Sequence, residues 1–456
     1  MNILGEGFRV TGRIAAIALV LASLPARVHP ADPSGQDALI EQAFTYGFPV
    51  YEMMRVRFSY LEDPKNPARL DVNGIAHGRA LVDPTRRVVT TPNNDTLYSR
   101  TILDLSVGPV SVHVPDTQGR YYSLAFYDIF SNAFAYVGRR TTGTREGSFV
   151  VVGPGWNGEL PANARVIRAP CHDVLVLTRV LVDGEADLPS AHAVQDGVRI
   201  APLRQEASKR PRGIAPLAGD PATFIAVVNQ ALGWNGVPSY EQPLVKRLAA
   251  VGVCGTECSW AALPRELQER WRQRFPGLLA SLRKPIAGDA KPVDGWYYNP
   301  PQIGNFGTDY AYRATVALSA LLAMEPAEAV YPMADADTKG RALVGDHRYR
   351  LHVPASGVPV DAFWSLSMYE LTPDGRAYFT DNPIRRYAIG DRTRGLARNP
   401  DGSIDLWLQH APPGKETETN WLPAPTGRFI VVLRGYQPRA EFLDSRFRLP
   451  GIERVE

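Results

Sequence analysis

The 456-residue chain sets 50 basic residues against 47 acidic ones, a formal net charge of +3, so it carries no strong polyelectrolyte field. Hydrophobic residues at 45% and charged residues at 21% exclude wholesale disorder, and the length suffices to bury full cores without disulfide staples. The 39 glycines and 39 prolines favour a turn-rich β protein over a helical bundle. Most of the basic residues are arginine, but they form no basic run or nucleic-acid-binding module, so no nucleic-acid partner is expected.

Residues 1–31 read as a signal peptide. Arg9 and Arg13 give a positive start, Ile14 to Leu24 is an apolar run too short to span a bilayer, and the small residues Ala26 and Ala31 follow. No later apolar run approaches the length of a membrane span. A periplasmic or secreted protein is expected, with no stable membrane insertion after cleavage. Homo-oligomerisation is compatible with the sequence.

Residues 36–61 predict a helix, because Ile40, Phe44, Phe48, Tyr51, Met54 and Phe58 recur at steps of three and four. Gly47 and Pro49 predict a kink or a break within it. From about 86 to 182 the pattern becomes one of short strands, such as VSVHVP (110–115), RYYSLAFYD (120–128), SFVVVG (148–153) and DVLVLTRVLV (173–182). Residues 220–284 turn helical, with Asp220-Pro221 as an N-cap and Gly233 as the expected stop. ELQERWRQRF (266–275) continues that region, and TDYAYRATVALSALLAM predicts a helix over about 308–324. Strands return after 340: YRLHVP, AFWSLSMYEL, IDLWLQH and RFIVVLR. The expected units are an N-terminal helix plus β-sandwich over 32–200, a mainly helical connection over 201–306, and a helix plus second β-sandwich over 307–456.

Familiar chemistry motifs are mostly missing. There is no Gly-x-Ser-x-Gly, no His-Glu-x-x-His and no phosphate-binding P-loop. Gly153-Pro-Gly-Trp-Asn-Gly158 fits a dinucleotide fingerprint in letters only, because ELPANARV after it does not read as a helix. It predicts a turn between strands. Asp335-Ala-Asp337-Thr-Lys339-Gly340 puts a lysine where a calcium loop needs an oxygen ligand, so it predicts a polar turn. No cofactor and no metal ligands are expected. Cys254 and Cys258 are spaced to close a small disulfide loop. Cys171 precedes His172 and Asp173 on a strand, where neighbours point to opposite faces, so it predicts a buried thiol rather than a nucleophile.

What remains are polar and aromatic clusters at strand edges. Asn93, Asn94 and Asp95, with Tyr98 following, form the densest one; it reads either as a self-satisfied turn or as a pocket wall. Asp128, Arg313, Trp364, Arg386, Tyr387, Asn420 and Trp421 stand in the others. TPNNDTLYS, DLSVGPVSVHVPDTQGRYYSLAFYD and GPGW resemble the bacterial domain of unknown function 1254. YAYRA, GRALVGDHRYRLHVP, FWSLSMYE, RRYAIGDR, NPDGSIDLWLQH and NWLPAPTGRFIVVLRGY resemble its usual partner, domain of unknown function 1214. The resemblance implies an immunoglobulin-like sandwich followed by a jelly-roll-like sandwich, joined by helices, and implies no particular activity.

These readings lead to an expected ligand site in a cleft between the two units. Asp95, Tyr98 and Asp128 are the candidate catalytic groups. Asn93, Asn94, Arg313, Trp364, Arg386, Tyr387, Asn420 and Trp421 are the candidate binding groups, and Arg313 or Arg386 is expected beside a carboxylate. The expected activity is that of a metal-independent hydrolase or lyase on a polar, carbohydrate-like or carboxylated small molecule. The competing expectation is a non-catalytic ligand-binding, glycan-binding or cell-envelope protein.

Overall fold

The computed structural model describes residues 33–455 except 86, 88–89, 205–207, 209, 284–286 and 373–375. The expected signal segment lies outside the described residues. Four sheets and seven α-helices make the described chain mainly β. No described helix is long and apolar enough to cross a membrane.

Two pairs of sheets account for most of the fold. In the first pair a five-stranded sheet runs in the order Ala76–His77, Thr96–Asp104, Asp173–Leu181, Tyr122–Tyr127, Ala133–Gly138. Its partner runs Arg165–Arg168, Gly147–Val152, Val110–Val114, Arg199–Pro202. Alternation along each strand puts Leu97, Leu103, Val174, Val176 and Val180 in one core with Val110, Val112, Phe149 and Val151. The second pair joins a seven-stranded sheet centred on Val360–Leu371 and Phe429–Pro438 to a four-stranded sheet that includes Arg348–Val353 and Ile404–Gln409. Trp364, Leu366, Met368, Val431 and Leu433 fill that core with Tyr349, Leu351, Leu406 and Leu408. Both pairs are sandwich-like, as expected from the strand pattern.

The same period of two gives the five-stranded and seven-stranded sheets a second, outward set of side chains, and these two outer faces meet. Tyr121 of the first unit meets Phe363 edge-on at 5.4 Å, and Phe363 stacks on Tyr436 at 4.2 Å. The junction between the units is therefore built from alternate residues of the same strands that build the cores.

The helices up to Tyr310–Ala320 pack on the first unit, while the short Ala440–Leu443 helix puts Phe442 in the second core. Pro33–Leu61 is one continuous helix with Pro49 inside it, so of the expected kink or break the break is absent. Burial against neighbours holds it: Phe44 lies 5.1 Å from Phe224 of helix Pro221–Asn235, and a Cβ on Gly47 would stand 3.0 Å from the Phe224 ring. Asp220 caps that second helix through the amides of Ala222 and Thr223, as its sequence predicts. The helix passes Gly233, where Thr256 leaves no room for a Cβ, and stops at Gly236, which takes the left-handed φ of 78°. Helix Tyr310–Ala320 also packs on Pro33–Leu61, placing Ala314 and Ala317 in the first core rather than in the second unit. Cys254 and Cys258 form a disulfide with their Cα atoms 5.5 Å apart, and Cys171 is a buried free thiol. Asp337 closes the polar turn expected at 335–340 by accepting from the amides of Lys339 and Arg341.

Candidate functional site

The Asn93–Asp95 turn is both a self-bonded turn and a wall. Asn93 Oδ1 accepts from the Asp95 amide at 2.6 Å, the Asx geometry that a short amide side chain favours. Its Nδ2 donates to Tyr436 Oη at 2.8 Å and so reaches the second unit. Asn94 donates to the Val82 carbonyl at 2.5 Å. Asp95, only 5% exposed, accepts from Ser365 Oγ at 2.6 Å and stands 3.5 Å from an Arg392 Nη.

These residues line a cleft of about 370 Å³ between the two units. Asn94, Asp95 and the 182–186 loop form one wall; Trp364, Ser365, residues 388–390 and residues 392–394 form the other, and Asp391 itself is not part of the lining. Arg392 is clamped by the Val182 carbonyl at 2.9 Å and by the Phe363 ring, 4.3 Å from its guanidinium carbon. Asp391 precedes it. Asp391 is exposed as a residue, yet protein crowds its carboxyl on one side, and that burial, reinforced by the negative charge of Asp95, pushes its pKa up to about 6 against the Trp364 amide and Arg392.

The other expected residues are placed elsewhere. Tyr98 faces the junction between the sheets and lies 5.4 Å beneath the Arg179 guanidinium. Asp128 is enclosed by its own turn, accepting from the amides of Phe130 and Asn132 at 2.9 Å, and burial pushes it up to about 6. Arg313 is fully buried against Glu241 at 3.0 Å and among the rings of Tyr46, Phe130 and Tyr310, so it is a strut of the helical layer. Arg386 donates to the carbonyls of Glu418, Thr419 and Trp421 and pins a loop. Tyr387 packs on Phe379 at 5.4 Å. Asn420 bridges the carbonyls of Ala397 and Asp405, and Trp421 donates to the Gln409 carbonyl from the core. Of the expected set, Asn94, Asp95 and Trp364 line the cleft, with Asn93 directly behind. The arginine beside Asp95 is Arg392 rather than Arg313 or Arg386.

Asp391 and Arg392 are functional candidates that sequence reasoning did not single out, and Ser365 entered it only as a member of the run Phe363-Trp364-Ser365. All three lie in the stretches FWSLSMYE and RRYAIGDR, so the signal was present as motif but not as chemistry. Among the described residues no group of three or more His, Cys, Asp or Glu stands close enough to hold a metal ion.

The model of a protein of unknown function, DUF1254, matches residues 72–202, and that of a second, DUF1214, matches residues 328–440. No curated protein matches the sequence. The crystal structure of the VPA0106 protein from Vibrio parahaemolyticus is similar over 92% of this chain and 100% of that one, at 23% identity and a TM-score of 0.72. That likeness extends to the whole fold, both units included. An uncharacterized protein from Burkholderia cenocepacia aligns over 94% of this chain and 90% of its own at 13% identity, with a TM-score of 0.42. The first unit carries one of these domains and the second unit the other, so the chain belongs to the family that joins an N-terminal DUF1254 domain to a C-terminal DUF1214 domain.

Proposed function

We propose that the protein is an exported hydrolase or lyase that uses carboxylates and an arginine, without a metal, on a polar, carboxylated or carbohydrate-like small molecule held in the Asp95 cleft. The observation that carries this reading is the Asp95 carboxylate in the cleft wall, enclosed by Ser365 and Arg392, with an unlike carboxyl within electrostatic reach: Asp391, an exposed residue outside the lining whose carboxyl is raised to about 6. A carboxyl near 6 exchanges a proton readily in mildly acidic to neutral water, which suits a general acid or base. Arg392 stands where it can receive an anionic group of the substrate.

The test is a turnover screen of the purified mature protein against glycans and carboxylated metabolites. Turnover is expected to disappear in Asp391→Asn, and the wild-type kcat/KM profile to show an inflection near pH 6. A ligand bound tightly but never converted would move the protein to the second reading, a non-catalytic binding or cell-envelope component. That reading draws on the way Asp95, Ser365 and Arg392 also tie the two units together. Export is tested separately: mass spectrometry of periplasmic protein is expected to show a start near residues 27–32, and full-length chain in the membrane fraction would count against it.

A further inference from the structure

The meeting of the two outer sheet faces encloses a second constellation, apart from the cleft. Arg179 projects from the five-stranded sheet and Arg434 from the seven-stranded one, and they are 6% and 5% exposed. A guanidinium stays charged in a protein, so its burial calls for an anion or a full set of acceptors. Arg434 has neutral acceptors only: Ser367 Oγ at 2.9 Å and the Thr91 carbonyl at 2.8 Å. Arg179 has less. One Nη donates weakly to the Leu322 carbonyl at 3.4 Å, and the other, Nη1, is buried with no partner among the described residues.

Among the described residues, the two carboxylates nearest this charge already have partners. Asp95, electrostatically near Arg434, is taken by Ser365 and Arg392. Glu328, near Tyr127, is taken by Tyr121 at 2.7 Å and Arg140 at 2.6 Å. Around Arg179 stand Tyr98, Tyr127, Tyr331 and Tyr436. Tyr127 donates to the Leu322 carbonyl and turns its oxygen to Arg179 as a neutral acceptor, and Tyr436 accepts from Asn93. Tyr98 and Tyr331 make no hydrogen bond with their hydroxyls among the described residues, and both keep part of their surface open although they lie between the sheets. Two carbonyls that hold the arginines belong to non-glycine residues with positive φ, Leu322 at 67° and Thr91 at 45°. A bulky residue rarely adopts this conformation, and such strain gathers where a site is being shaped.

We propose that Arg179, Arg434, Tyr98 and Tyr331 form an internal binding site for a small oxyanion, a carboxylate or a phosphate. The anion takes the Nη1 of Arg179 and the two hydroxyls that have no partner among the described residues, and its negative charge offsets part of that of the two buried guanidiniums. This site stands whether or not the cleft is catalytic.

Thermal shift and titration calorimetry on the full mature chain test it, with acetate, succinate, citrate, inorganic phosphate and sulfate each compared with chloride. One of these oxyanions is expected to raise Tm and to bind with one-to-one stoichiometry. A carboxylate that binds while phosphate does not names an organic acid as the ligand, and the reverse names a phosphate. Tyr98→Phe and Tyr331→Phe remove hydroxyls that no group among the described residues uses, so both variants are expected to fold and each to weaken binding about tenfold. Arg179→Gln is expected to abolish binding. The proposal is overturned if none of the five oxyanions stabilises the protein, if the two tyrosine variants bind as tightly as wild type, or if Arg392→Gln alone removes binding, which would move the anion to the cleft.

Discussion

Ser365 donates its hydroxyl hydrogen to Asp95 at 2.6 Å across 270 residues of sequence, and this bond joins the two units at the floor of the cleft. Arg392 approaches the other carboxylate oxygen at 3.5 Å while holding the Val182 carbonyl. One carboxylate thus serves both the junction and the cavity beside it. A change at Asp95 therefore alters stability and ligand handling together, and the two effects separate by choice of substitution.

Asp95→Ala leaves the Ser365 hydroxyl and the Arg392 guanidinium without their acceptor in a buried place. The expected cost is about 1–3 kcal/mol in urea unfolding. Asp95→Asn keeps an oxygen for Ser365 and is expected to lose less than half of that. Equal losses in the two variants would mean that the hydrogen bond contributes nothing beyond the charge.

Asp128 gives stability a dependence on pH. Burial raises its pKa from 3.8 unfolded to about 6 folded, so the folded chain holds the proton more tightly. The contribution is fully present below about pH 3.8 and is lost as pH rises through about 6. It amounts to at most about 3 kcal/mol. Asp128→Asn keeps an acceptor for the Phe130 and Asn132 amides and removes the titration. Unfolding curves from pH 4 to pH 7 are expected to fall less steeply in the variant than in wild type. Some slope of the same sign is expected to survive, because Asp391 is raised in the same direction.

The division between what sequence revealed and what it hid follows locality. Strand positions, the Asp220 cap, the Asp337 turn and the Cys254–Cys258 loop depend on neighbours within a few residues, and each is legible from period and composition. Gly233 misled because the reason it is glycine, the approach of Thr256, comes from another segment. Pro49 pointed to a kink or a break, and the helix is not broken there because its neighbouring turns pack across to Phe224. Arg179 and Arg434 read as ordinary interruptions of the apolar strands DVLVLTRVLV and RFIVVLR. Their placement on two facing sheets around the shared Tyr98 and Tyr436 has no local signature. Asn93–Asp95 was visible because polar turn chemistry is written in consecutive residues, whereas its partners Ser365 and Arg392 are not.

Arg313 is a structural residue by its surroundings, and its removal measures that. Glu241, fully buried, accepts from Arg313 at 3.0 Å and from the Tyr46 hydroxyl at 2.8 Å. Arg313→Met keeps the volume and strands the carboxylate. The expected destabilisation is about 3–5 kcal/mol in chemical denaturation, and Arg313→Met combined with Glu241→Gln is expected to recover most of it. A loss below 1 kcal/mol in the single variant would show that water reaches the pair.

The two kinds of cysteine are expected to respond oppositely to reagents. Cys171 is buried, and burial pushes its thiol well above the ordinary range, so little thiolate forms in the folded chain. A thiol-reactive dye is expected to label Cys171 only after unfolding. The Cys254–Cys258 bridge closes a loop with three residues between its ends, and loop-closure entropy gives it a contribution of about 2 kcal/mol. Cys254→Ser with Cys258→Ser is expected to lower unfolding free energy by about that amount without changing the fold. The turn is also held from outside the bridge, since Asn229 Oδ1 accepts from the Cys254 and Gly255 amides at 3.0 Å and its Nδ2 donates to the Cys258 carbonyl at 3.1 Å. Adding Asn229→Ala to the double cysteine variant therefore removes the remaining restraint, and the combined loss is expected to exceed the sum of the separate losses, because either device alone can keep the loop against helix Pro221–Asn235. Strict additivity in the triple variant would show that the two devices act independently.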